Sequence, residues 1–159
     1  MGRTIAWATL IAGTLDIIFA AILTLVRGGE PANMLRTVAS GPFPEAPEWG
    51  AAGAWLGLAT HFALMAAMAA VFVLVAQRRP DLTAKPIKWG VIYGLITYVV
   101  MNLIVVPLRF PAAWPPQPIG IATQLFAHVF LVGIPIAQIS ARYLRARTVT
   151  RSHLANGSH

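Results

Sequence analysis

Four long apolar runs dominate the pattern of hydrophobic and polar positions, over residues 5–26, 54–76, 89–106 and 121–141. Each run is about 20 residues long, and a helix of that length crosses the roughly 30 Å hydrocarbon core of a bilayer. The pattern predicts an all-α polytopic membrane protein. We expect a four-transmembrane-helix bundle over residues 1–142 and a basic cytoplasmic tail over residues 143–159.

Within the runs, small and polar residues recur at helical spacing. When each run is wound at about 100° per residue, these residues fall on one stripe, and the opposite side is Leu, Ile, Val and Phe. Small residues let membrane helices approach closely, and polar ones hydrogen-bond across the contact, so we expect the stripes to face one another. In chain order the stripes are Thr9, Gly13, Asp16, Ala20 and Thr24; Gly50, Gly53, Gly57, His61, Leu64 and Met68; Gly90, Gly94, Thr97 and Met101, flanked by Tyr98 and Asn102; and Gln124, His128, Pro135, Gln138 and Arg142.

Composition supports the membrane assignment. Hydrophobic residues make up 57% of the chain and charged residues 11%, with a mean hydropathy of +0.68, whereas soluble domains carry about 25% charged residues. The first run is longer than the apolar core of a cleaved signal peptide, so we expect it to be retained. The chain has no cysteine, which excludes disulfides and thiolate metal sites.

The net charge of +7 is unevenly distributed. Nine of the 12 Lys and Arg residues flank one set of predicted helix ends, and only Arg27, Arg36 and Arg109 flank the other, together with three glutamates. By the positive-inside rule this places both termini in the cytoplasm. The partner implied by this charge is the lipid bilayer rather than nucleic acid, and the basic tail is expected to hold the last helix against anionic lipid. We therefore expect a multi-pass protein of the inner (cytoplasmic) membrane.

Two loops lie on the less basic side. The first contains a proline at a plausible helix start, Pro31, followed by Met34, Leu35 and Val38 at helical spacing, which predicts a short helix in the membrane interface. The second, "PLRFPAAWPPQPIG", contains five prolines. It is expected to be stiff, and it serves either as a cap over the bundle or as a plain connector.

The polar side chains of the four helices are predicted to meet at similar depth. Asp16, His61, Asn102 and His128 each lie about 8–15 Å from the same end of their helices at 1.5 Å per residue, and Gln124 lies one turn from His128. Ionisable groups inside a membrane are costly and usually mark function. These five residues are the candidate ligand-binding or proton-relay site.

Three chemistries fit this cluster. A small transport-type or ligand-binding protein would use it for protons, a cation or a small solute, because histidine exchanges protons near physiological pH. A haem or metal site would use His61 and His128 as ligands, and a copper site would add Met65, Met68 and Met101. A non-catalytic structural or accessory subunit would use it only to fix helix register. No nucleophile motif or phosphate loop favours an enzyme, and the sequence does not identify a cofactor.

The stretches "GTLDIIFA", "GLATHF", "YGLITYVVMNLIVVPL" and "AHVFLVGIPIA" resemble small bacterial four-helix inner-membrane proteins and, more distantly, the YagU-like family. The resemblance covers nearly the whole chain and implies the four-helix arrangement, with one histidine in the second helix and one in the fourth. It implies no activity. Because four helices make a narrow bundle, a homo-oligomer is one way to complete a substrate path.

Overall fold

The computed structural model describes the backbone of residues 1–156 and the side chains of residues 1–146. In that part, four helices are long and apolar enough to cross a membrane, and the predicted all-α four-helix membrane bundle is confirmed. The basic residues 147–159 of the predicted tail lie outside the described side chains. The helices are α1 (Gly2–Val26), α2 (Pro31–Ala39), α3 (Gly50–Arg78), α4 (Pro80–Ala84), α5 (Pro86–Arg109) and α6 (Pro118–Ala146, with helical backbone continuing to Asn156).

The helices begin slightly before the apolar runs. Prolines occupy the first turn of α5 and α6, at Pro86 and Pro118, where the missing N–H costs no intrahelical bond and the fixed φ favours a helix start. The backbone of α6 also continues well past residue 141. Residues 143–156 therefore continue the backbone of the last helix.

Two stretches of the bundle are π-helical, Val99–Val105 in α5 and Ala127–Gly133 in α6. Each ends two residues before a proline, Pro107 or Pro135. A proline lacks the N–H that the carbonyl four residues earlier would accept, and its ring displaces that carbonyl. Local π-helical geometry is one of the adjustments by which membrane helices satisfy the backbone groups that proline frees.

The bundle is held together by close contacts between small residues. α6 packs against α1, α3 and α5, and α1 packs against α3. A Cβ on Gly94 would lie 2.6 Å from Val129 Cα, and one on Gly133 would lie 2.7 Å from Gly94 Cα. The backbones of α5 and α6 are therefore nearly in contact, as glycine permits in membrane helix pairs.

The outside of the bundle is apolar. Large hydrophobic side chains on all four long helices are exposed, among them Ile22, Val71, Ile96 and Phe130 at 52–55%. A surface of this kind is typical of helices that face lipid tails. Four tryptophans near the helix ends are also exposed, as expected for residues at a membrane interface; they are Trp7, Trp49, Trp55 and Trp114.

The two ends of the bundle differ. At one, which we call the α2 end, α2 packs against the start of α3, where a Cβ on Gly57 would collide with the carbonyl oxygen of Leu35. Arg109 joins the two loops there, with Nε 2.6 Å from Gly41 O and Nη2 2.8 Å from Ser40 O. At the other, the α4 end, Arg145 donates to the carbonyl of Thr83. The short helix predicted after Pro31 is present, and the second loop is tied to it.

Candidate functional site

Asp16 occupies the middle of α1, on the face that packs into the bundle. Its side chain is 18% exposed. The predicted stripe of α1 is confirmed, because Gly13 is buried and Thr9, Asp16, Ala20 and Thr24 are half-buried, whereas Ile18 and Ile22 on the opposite side are exposed. α1 therefore directs its single carboxylate inward, towards α3 and α6.

His61 of α3 is the nearest partner of Asp16. Its Nδ1 lies 3.9 Å from Asp16 Oδ2, and its Nε2 lies 3.0 Å from the carbonyl oxygen of Gly13. A carbonyl oxygen only accepts hydrogen bonds, so Nε2 carries a proton and donates it to Gly13. The edge of the His61 ring is also packed against Phe62, with 5.3 Å between ring centroids.

The hydrogen bond from His61 to Gly13 determines which atom of His61 faces the carboxylate of Asp16. With Nε2 protonated, a neutral His61 presents the lone pair of Nδ1 to Asp16, and two acceptors facing each other are unfavourable without a proton between them. Either Asp16 carries that proton as a carboxylic acid, or Nδ1 carries it and the pair is ionic. Both forms have the same net charge, so the pair can hold one proton in the bundle without exposing an isolated charge.

His128 lies in the π-helical stretch of α6 and is buried. Its Nδ1 lies 2.9 Å from the carbonyl oxygen of Gln124, and its ring meets the edge of Tyr98 with 5.9 Å between centroids. Because Nδ1 donates to that carbonyl, the neutral ring leaves Nε2 as an acceptor. His128 is also within electrostatic range of Asp16. The structure thus places Asp16, His61 and His128 in one polar group, in which Asp16 and His61 are the closest pair.

The other two predicted site residues do not join this group. Gln124 is exposed, and only its backbone carbonyl serves the site. Gln138 and Arg142 of the same predicted stripe are exposed as well. The placement of Gln138 and Arg142 was wrong because the π-helical stretch between Ala127 and Gly133 changes the angle per residue, so residues after it do not share the face of His128. Asn102 is half-buried, and within the described part of the chain no hydrogen bond links it to Asp16 or to either histidine.

One member of the predicted α3 stripe does not face the bundle. Leu64 is 40% exposed, and Met65 is buried instead, with 5% exposed. The buried face of α3 continues from His61 to Met65 and Ala69 in steps of four residues, so the predicted step of three to Leu64 left that face. Met65 packs in the apolar core beside Ala8 and Ala12, which is the ordinary use of methionine as a filler.

The polar group does not resemble a metal centre. Among the residues that the structure describes, no three His, Asp, Glu or Cys side chains lie close enough to hold a metal ion together. Nε2 of His61 is held by its hydrogen bond to Gly13 O, and Nδ1 faces Asp16 at 3.9 Å. Ligation of haem by His61 and His128 would require His61 to give up one of these contacts.

Sequence reasoning missed two parts of the site. The acceptor that orients His61 is the backbone of Gly13, and backbone acceptors leave no signal in residue type. Thr9 Oγ1 is the one buried side-chain oxygen or nitrogen without a hydrogen-bond partner in the part of the chain described with side chains. It lies on the stripe of α1 that also carries Asp16. Its position on the stripe was predicted, but its unsatisfied state depends on packing.

Comparison of the chain with protein-family models, with curated proteins and with solved structures finds no match. The resemblance to YagU-like proteins therefore stays a prediction.

Proposed function

We propose that the chain is a small transport-type membrane protein whose Asp16–His61 pair binds and releases a proton inside the bundle, with His128 as the neighbouring acceptor. The observation that carries this proposal is the donation from His61 Nε2 to Gly13 O, because it leaves Nδ1 facing the carboxylate across 3.9 Å. A gap of 3.9 Å is longer than a hydrogen bond, so a small rotation of either side chain would bring the two groups together for the proton transfer to which a histidine beside a carboxylate is suited.

The neighbouring groups support a relay rather than a fixed ion pair. The neutral His128 ring has an unprotonated Nε2, and it lies within electrostatic range of Asp16. It sits in a π-helical stretch, and such stretches occur frequently at functional sites. A homo-oligomer that completes the path of the proton belongs to the same proposal.

A second function is favoured by a specific contact. The hydrogen bond from His61 to Gly13 joins α3 to α1 directly, and polar side chains of that kind stabilise helix pairs in membranes. On this alternative, the chain is a non-catalytic accessory subunit and the polar group only sets the register of its helices.

Orientation in the membrane is also proposed. The α4 end of the bundle carries most of the basic side chains and the α2 end carries three glutamates. By the positive-inside rule the α4 end and both termini face the cytoplasm, and the membrane is the inner membrane of a bacterial cell.

Reconstituted vesicles separate the two functions. Protein is placed in vesicles of phosphatidylethanolamine and phosphatidylglycerol that contain a pH-sensitive dye, and a potassium gradient with valinomycin imposes a membrane potential. We expect proton entry above that of protein-free vesicles, and we expect Asp16→Asn to abolish it. Asp81→Asn is the matched control, because Asp81 is the other aspartate of the chain and lies exposed in α4.

Two results would contradict the proposal. A rate of proton entry in wild-type vesicles equal to that in protein-free vesicles would favour the accessory-subunit function. Equal rates for wild type and Asp16→Asn would remove Asp16 from any proton path.

A further inference from the structure

The strongest feature outside the polar group is a groove between α1 and α6 at the α4 end. Its volume is about 400 Å³, and Trp7, Ile11, Ile139, Arg142 and Tyr143 line it, together with Ala146. We propose that this groove binds the headgroup and upper acyl chain of an anionic phospholipid.

The lining residues are ordered along the membrane normal. Trp7, Arg142 and Tyr143 lie near the helix ends, whereas Ile11 and Ile139 lie one turn closer to the middle of the bundle. A lipid has the same order, with a polar headgroup at the interface and an acyl chain below it. Trp and Tyr each offer one donor on an apolar ring, which suits them to headgroup depth.

Arg142 supplies the selectivity for an anion. Its guanidinium is exposed, and no carboxylate lies within 4 Å of it in the part of the chain described with side chains. Guanidinium groups bind phosphate through two parallel hydrogen bonds. Arg3 lies one turn before Trp7 on the same stripe of α1, and it adds a second positive charge at headgroup depth.

An anionic lipid is the occupant that this charge pattern favours. The α4 end has a strong excess of basic residues, which attracts the negative surface of a cytoplasmic leaflet. The groove adds specific contacts to that general attraction, because the Arg142 guanidinium, the two ring donors and an apolar wall lie together in one place. Its lipid therefore binds at one site and is not spread over the surface.

The test compares two arginines at the same end of the bundle. Delipidated protein in neutral detergent is titrated with phosphatidylglycerol or phosphatidylcholine, and lipid binding is measured by native mass spectrometry and by the shift in melting temperature. For wild type we expect one tight phosphatidylglycerol site. Arg142→Gln should weaken it about tenfold, the loss expected for a charge-assisted hydrogen bond. Arg78→Gln, the control, removes an exposed charge outside the groove and should leave the site intact.

A second variant keeps the test decisive if Arg142→Gln does not fold. Ile11→Trp fills the groove without changing charge, at a position that is 40% exposed, and it should also weaken the site. Equal loss in Arg142→Gln and Arg78→Gln would show diffuse attraction and overturn the proposal. Equal binding of the two lipids, or an equal melting shift from inorganic phosphate, would overturn it as well.

Discussion

His61 Nδ1 lies 3.9 Å from Asp16 Oδ2, and among the residues described with side chains this is the one approach within 4.0 Å between a carboxylate oxygen and a basic nitrogen. If the two groups share a proton, replacing either one changes the environment of the other. We therefore expect Asp16→Asn and His61→Gln to be non-additive, with a coupling of about 0.5–3 kcal/mol in the free energy of unfolding, as for contacting residues. Unfolding in detergent of the wild type, both single variants and the double variant measures this coupling.

The control for this cycle pairs His61→Gln with Asp81→Asn. The end of α3 is about 25 Å from His61 at 1.5 Å per residue, and Asp81 lies beyond that end. The effects of His61→Gln and Asp81→Asn on the free energy of unfolding should therefore add. Additivity in the Asp16 cycle too would show that the pair has no energetic coupling.

Gly57 is the contact through which α2 packs against α3. A Cβ at this position would collide with the carbonyl oxygen of Leu35. Gly57→Ala should therefore destabilise the protein by about 1–3 kcal/mol, the usual cost of overpacking. Thermal unfolding in detergent measures the change.

The matched control for Gly57 is Gly120, which is also helical but has no atom within 4 Å of a Cβ built on it. Gly120→Ala should be neutral or should stabilise by about 0.5–1 kcal/mol, because alanine favours the helix. Similar effects of the two substitutions would contradict the close approach of α2 to α3.

Arg109 connects the two loops of the α2 end through the carbonyls of Ser40 and Gly41. These carbonyls follow the last turn of α2, where a positive charge is favourable. Arg109→Gln should destabilise the loops by about 1.5–3 kcal/mol, the range for hydrogen bonds to charged groups. Faster proteolysis within residues 40–49 is the expected readout, and Arg27→Gln, an exposed arginine of the same end, is the control. Unchanged cleavage would show that Arg109 does not hold the loops together.

The sequence predicted the parts of the fold that depend on composition and constant helical spacing. The four spans follow from uninterrupted apolar runs, and the inward stripe of α1, including Asp16, follows from a regular α-helix. The stripe of α6 could not be predicted in this way, because the π-helical stretch that begins at Ala127 breaks the spacing on which the placement of Gln138 and Arg142 relied.

Contacts made by backbone carbonyls could not be predicted from the sequence either. The acceptor of His61 is a carbonyl 48 positions away in the chain, and the acceptors of Arg109 are 68 and 69 positions away. Only the path of the chain brings these groups together. The pairing of Asp16 with a histidine was predictable from depth, whereas the atom that orients the histidine was not.

The orientation of the bundle gives the last prediction. Arg145 meets Thr83 at the α4 end and Arg109 meets Gly41 at the α2 end, so the two groups of loops lie at opposite ends. Single cysteines can report on each end, because the chain has none of its own. Suitable exposed positions are Glu45 and Ala113 at the α2 end and Ala84 at the α4 end.

In intact cells, a membrane-impermeant maleimide should label Glu45→Cys and Ala113→Cys, and it should label Ala84→Cys only after the membrane is permeabilised. The physical reason is the excess of arginine and lysine at the α4 end, since positively charged loops are retained in the cytoplasm. The reverse pattern would invert the orientation. Partial labelling of all three positions in intact cells would show that the chain inserts in both orientations, and the charge difference would then be too weak to set the topology.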